Sequence, residues 1–111
     1  NTMNELSTVP EALLYQAIAQ SIVDAIDEPW SSASAMVVIE NEVTGLIAGQ
    51  YATKDSTEQD HDLRLDSQCY ALFEELARRA KQGENPWNVA QFHLYPDARF
   101  EFQVAMVALA A

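Results

Sequence analysis

Leu14, Ile18, Ile22 and Ile26 recur at intervals of four, with Tyr15 and Val23 beside them. That spacing predicts an amphipathic helix of about four turns. Ser7 or Thr8 can cap it, Pro10 suits its first turn, and Glu11 favours the positive end of the helix dipole. The helix should end before Pro29, because proline disfavours helical geometry in the residue ahead of it. Residues 35–40 (AMVVIE) and 46–53 (LIAGQYAT) are rich in β-branched side chains and read as two strands, joined by a turn around Asn41 to Gly45.

Residues 54–66 (KDSTEQDHDLRLD) have no strand pattern and are expected to form a loop. A second helix should start near Asp66 or Ser67, with Cys69, Leu72, Phe73, Leu76 and Ala80 on its buried face. The run RRAK suits its negative C-terminal end, Gly83 stops it, and Pro86 lies just beyond. Residues 88–95 and 99–107 then form a hairpin across the turn PDA, in which Phe100, Phe102, Val104 and Met106 alternate with Arg99, Glu101 and Gln103. The expected fold is a single α+β domain over residues 1–111 in the order α-β-β-α-β-β. Its four-stranded antiparallel sheet is packed by two helices, and residues 1–6 are flexible. Both halves run helix, Pro-Trp, hairpin, with Trp30 and Trp87 in matching positions, as a duplication or convergence on one way of leaving a helix would produce.

A hydrophobic content of 49% allows a packed core and argues against wholesale disorder. Charge changes the picture more. Seventeen acids against six bases give −11, which repels nucleic acid and anionic membranes and makes a basic protein surface the natural partner. The single cysteine, Cys69, forms no intramolecular disulfide and lies on the apolar stripe of the second helix as a small core residue. No charged leader followed by an apolar run opens the chain, and no stretch approaches about 18 apolar residues, so a soluble cytoplasmic protein is expected.

The acids Asp55, Glu58, Asp60, Asp62 and Asp66 crowd into thirteen positions. Asp60 and Asp62 begin the alternate spacing of a calcium loop, but Arg64 takes the next ligand position and no glycine follows to make the turn. His61 and His93 are isolated from each other, which disfavours zinc. No Gly-x-Ser-x-Gly elbow and no glycine-rich phosphate loop occurs. Acid pairs such as Glu40 with Glu42, or Glu74 with Glu75, read as solvated faces. The chain is therefore expected to be no enzyme and to carry no metal or cofactor.

The stretch CYALFEELARRAKQGENPWNVAQFHLYPDARFEFQVAM resembles the C-terminal half of YezG-like immunity proteins, which neutralise polymorphic bacterial toxins. The shared features are the helix face Leu72–Leu76, Trp87 opening a strand, the YPDA turn, and Phe100 with Phe102. The chain departs from that pattern at Ala98, where the family's turn usually carries glycine, and at Val104–Met106, where a late aromatic is usual. The resemblance implies a cytoplasmic antitoxin with a nuclease as the commonest kind of target. It transfers no binding residue.

Charge alone selects Asp55, Glu58, Asp60, Asp62 and Asp66, aided by Glu40 and Glu42, as the contact set for a basic toxin domain. Should these acids prove a mere connector, the sheet face near Gln91, His93 and Tyr95 is the next choice. The rival reading is a small-ligand-binding or regulatory α+β domain, dimeric through its sheet.

Overall fold

The computed structural model describes residues 6–40 and 43–108. Two helices, α1 (Glu11–Ala25) and α2 (Ser67–Gln82), cover one face of a sheet of five strands: β1 (Trp30–Glu40), β2 (Val43–Thr53), β3 (His61–Leu63), β4 (Val89–Leu94) and β5 (Phe100–Ala105). The sheet order is β3-β2-β1-β4-β5, and every neighbouring pair is antiparallel. The α+β class is as the hydrophobic pattern predicts. The strand count is not, because the segment expected to be pure loop contributes β3.

The helical stripes are those of the sequence. Leu14, Ile18 and Ile22 are buried from α1 with Ile26 at its C-cap, and Cys69, Leu72, Phe73 and Leu76 from α2. Val23 departs from the stripe and is exposed. The start of α1 differs from expectation too, since its N-cap is Pro10, which offers no side-chain hydrogen bond. A 3₁₀ turn, Leu6–Thr8, precedes it. Of the segment 1–6 expected to be flexible, Leu6 lies in that turn and packs on the core, and residues 1–5 lie outside the described residues.

An ion-paired group clamps the turn to α2. Glu75 is 6% exposed and accepts from Arg79 Nε at 2.7 Å and from Arg78. The same Arg79 donates to the carbonyls of Leu6 (2.7 Å) and Val9. Burial alone would raise the Glu75 carboxyl, but hydrogen bonds from Arg79 and Arg78, with their charges, hold it below the ordinary value.

β1 begins at Trp30, five residues before the predicted start. The stretch Ser31–Ala35 lacks β-branched residues, but it alternates serine with alanine, Ser32–Ala35 pairs with β2, and Ala33–Ala35 pairs with β4 as well. Tertiary pairing overrides the low strand propensity. β2 likewise begins at Val43, so Thr44 and Gly45 belong to the strand, and Asn41 and Glu42 lie outside the described residues.

The two αββ halves meet symmetrically. Trp30 and Trp87 are 57 positions apart, and β1 pairs with β4 so that Ala35 faces Phe92, again 57 apart. Trp87 is buried against Phe102 at 5.9 Å between ring centroids, whereas Trp30 is half-buried.

Gly49 lets β3 approach. A Cβ built there would stand 2.8 Å from the Leu63 carbonyl oxygen and 3.0 Å from Leu63 Cβ, so only glycine admits the Gly49–Leu63 pair without a shift.

Candidate protein-binding surface

The face of the sheet away from the helices is polar toward the Ser32–Ser34 end and apolar toward the other, where Val38 pairs with Val89. Across its middle run Asp62, Gln50, Ser34, His93 and Glu101, one from each strand, each facing the next in register. A hollow of about 200 Å³ lies on this face, lined by Ser34, Met36, Ala48, Gln50, Gln91 and His93. Gln91 is exposed and His93 half-buried, so the alternation with Tyr95 correctly marks a face the helices leave open.

The segment between β2 and β3 folds back over the end of this face. Ser31 Oγ donates to the Ser56 carbonyl at 2.7 Å, Ser34 Oγ donates to Gln59 Oε1 at 2.6 Å, and Gln59 Nε2 donates to Ser32 Oγ at 3.0 Å. Lys54 N reaches the Pro29 carbonyl at 3.2 Å, and Glu58 N reaches Ser56 Oγ at 3.0 Å. Ala52, the cross-strand neighbour of Ser32 on this face, is fully buried. Three serines of the central strand thus fasten the segment down as a strap. Those serines form an alternation with alanine that carries no β-branched signal, and Gln59 is an uncharged amide within the acidic run.

The strap holds its polar amide inward and its acids outward. Asp55, Glu58 and Asp60 are exposed, and Asp62 continues the series on β3. His61 Nε2 lies 3.5 Å from Asp60 Oδ1, and its ring stacks on Tyr51 at 5.1 Å. The Tyr51 hydroxyl donates to Glu28, and that bond first, then burial and the charges of Glu28 and Asp27, pushes its pKa up to about 12.

Two of the other candidate acids stand apart. Asp66 is the N-cap of α2, its carboxylate accepting from Cys69 N at 2.9 Å, so its charge serves the helix start. Glu40 sits at the far end of the β1–β2 hairpin: Trp30 pairs with Thr53 beside the strap, while Glu40 pairs with Val43. Six residues of strand, about 20 Å, separate Glu40 from Ser34, where Gln59 is fastened, so Glu40 lies apart from the strap acids. Glu42 lies outside the described residues.

Cys69 is fully buried, and burial, then the Asp66 charge, pushes its thiol up to about 12, which suits a packing residue and not a nucleophile. Among the described residues no group of three or more His, Cys, Asp or Glu side chains is placed to hold a metal ion. No helix among them is long and apolar enough to cross a membrane. On the opposite flank, an open groove of about 490 Å³ runs between α1 and the β4–β5 hairpin, bordered by Tyr15, Ala19, Val23, Leu94 and Phe100. No protein-family model matches the chain, and no curated protein does.

Proposed function

We propose that this chain is an immunity protein that neutralises a basic toxin domain, with a nuclease as the target class, by stoichiometric occlusion in the cytoplasm and without a cofactor. The observation that carries the reading is the strap: Asp55, Glu58 and Asp60 project from a segment fixed by Ser31, Ser32 and Ser34. A bare acidic loop would need to be ordered on binding. A fastened one presents its carboxylates at less entropic cost and steers a cationic partner toward them. Asp62 and the open face around Gln50 and His93 extend the contact, giving polar side chains that hydrogen-bond once water is displaced.

The test begins with the gene immediately upstream, which should encode a large secreted protein ending in a variable basic domain. Co-expression of that domain with this chain should rescue growth, and a variant carrying lysine at positions 55, 58, 60 and 62 should fail to rescue while remaining folded. Rescue undiminished by that variant would remove the strap from the contact. A small-ligand-binding or regulatory domain is the second reading, favoured by the groove beside α1, and strap reversal would leave such binding unchanged.

A further inference from the structure

The two edges of the sheet are built differently. β3 is three residues long and carries His61 and Asp62, which blunts that edge. β5 is six residues long, and among the described residues no strand pairs with its outer side. The large exposed apolar side chains Leu13, Val23, Phe100, Val104, Met106 and Val107 all belong to α1, β5 or the residues just after β5. Val104 is 44% exposed and Met106 61%. Tyr15 of α1 packs on Phe100 and Phe102 at 5.5 and 5.3 Å, so helix and strand edge form one flank. In the symmetric halves β5 corresponds to β2, whose outer edge is taken by β3. The second half has the same edge without its covering strand.

We propose that the β5 edge is covered by the β5 edge of a second copy of this chain, giving one continuous antiparallel sheet of two protomers. The strand sequence singles out that occupant. Phe100-Glu101-Phe102-Gln103-Val104 has the same apolar–polar alternation read in either direction about Phe102. A two-fold axis at Phe102 sets Phe100 against the partner's Val104, and Glu101 against the partner's Gln103. The only acid within β5 therefore meets an amide and not another acid, which matters between two chains of −11 each. The axis stands normal to the sheet and places both α1 helices on the same face of the joined sheet, one to either side of the seam. Strand pairing alone buries less than the ~800 Å² per partner of a stable interface, and the exposed apolar flank of α1 supplies the remainder. The proposal is independent of the strap, whose side-chain hydrogen bonds go to the central strand β1 and not to β5.

Sedimentation equilibrium of the whole chain, over a range of concentrations and at low and moderate salt, should show a monomer–dimer equilibrium that salt strengthens by screening the net charge. Val104→Glu, with its fold checked by circular dichroism, should raise the dimer dissociation constant by about tenfold or more, because it buries an unpaired carboxylate at the seam. Register has its own test. Mixed Glu101→Cys and Gln103→Cys proteins should form a disulfide-linked dimer faster than either alone, since facing residues in a non-hydrogen-bonded pair stand about 4.5 Å apart, and buried Cys69 does not compete. A monomer at every concentration overturns the proposal and leaves the edge to a strand from another protein. A dimer indifferent to Val104→Glu, without preferential cross-linking in the mixture, overturns it equally.

Discussion

Ser34 and Gln59, 25 residues apart in the chain, are joined by a 2.6 Å hydrogen bond from the serine hydroxyl to the amide oxygen. The contact ties the most acidic stretch of the sequence to the centre of the sheet, because Ser34 is flanked there by Gln50 and His93. Gln59 also donates to Ser32, so one side chain engages two hydroxyls of β1.

Removing that side chain should release the strap and leave the core intact. Gln59→Ala should cost about 1 kcal/mol or less of global stability, the scale of part-buried neutral hydrogen bonds. Amide exchange in residues 55–60 should meanwhile accelerate well beyond that of β1 and β4. Unchanged protection in the strap would mean that its backbone contacts to Pro29 and Ser31 suffice.

The β4–β5 turn stores strain at an alanine. Ala98 N donates to the Tyr95 carbonyl at 3.0 Å, Tyr95 N donates to the Arg99 carbonyl at 2.9 Å, and Ala98 has φ 72°. This is a three-residue hairpin loop whose last position favours glycine. Ala98→Gly should therefore stabilise the protein by about 1 kcal/mol, read as a higher denaturation midpoint with an unchanged slope. Glu84 repeats the situation. It has φ 63° one residue after Gly83, and Asn85 N closes on the Ala80 carbonyl at 2.9 Å, so the left-handed residue ending α2 is the glutamate and not the neighbouring glycine.

Gly49→Ala should have the opposite sign. A methyl 2.8 Å from a backbone oxygen forces β3 away from β2 at a cost of about 1–3 kcal/mol. Chemical-shift changes should concentrate at His61–Leu63, and a neutral outcome would mean that β3 adds little to the sheet.

Acid should weaken the clamp on the N-terminal turn. The Glu75 carboxyl is held below its ordinary value in the folded state, so its stabilising contribution is complete above the ordinary glutamate pKa. That contribution is lost as pH falls through the lowered folded value. Glu75→Gln should flatten this part of the acid limb in denaturation measured as a function of pH. An unchanged acid limb would place the loss in other carboxylates.

The helices were legible because their apolar stripes repeat with the helical period and, in α2, are bounded by a start signal at Asp66 and a stop signal at Gly83. The strands rich in Val, Ile and Phe were legible for the same kind of reason. What escaped was whatever depends on contacts distant in sequence. β3 has one buried apolar residue, Leu63, and exists because Gly49 opposite it lacks a side chain. Ala33–Ala35 is strand because β2 and β4 pair with it on both sides. At the candidate site, charge counting selected Asp55, Glu58, Asp60 and Asp62, but it included Asp66 with them and added Glu40 as an aid. One is spent on a helix cap and the other lies at the far end of a hairpin. Composition carries no record of either placement.

The central claim is that the fastened acids dock a basic toxin domain, and the association rate constant tests it most directly. Single charge reversals at Asp55, Glu58, Asp60 and Asp62, measured at low and physiological salt against the toxin domain that the proposal expects upstream, should each slow association, with the effect shrinking as salt rises. Where a carboxylate becomes a buried, hydrogen-bonded partner, its truncation should cost about 2–5 kcal/mol, mainly through faster dissociation. Reversal at Glu40 should change neither rate. Folded strap variants that associate and dissociate like the parent at both salts would contradict the account.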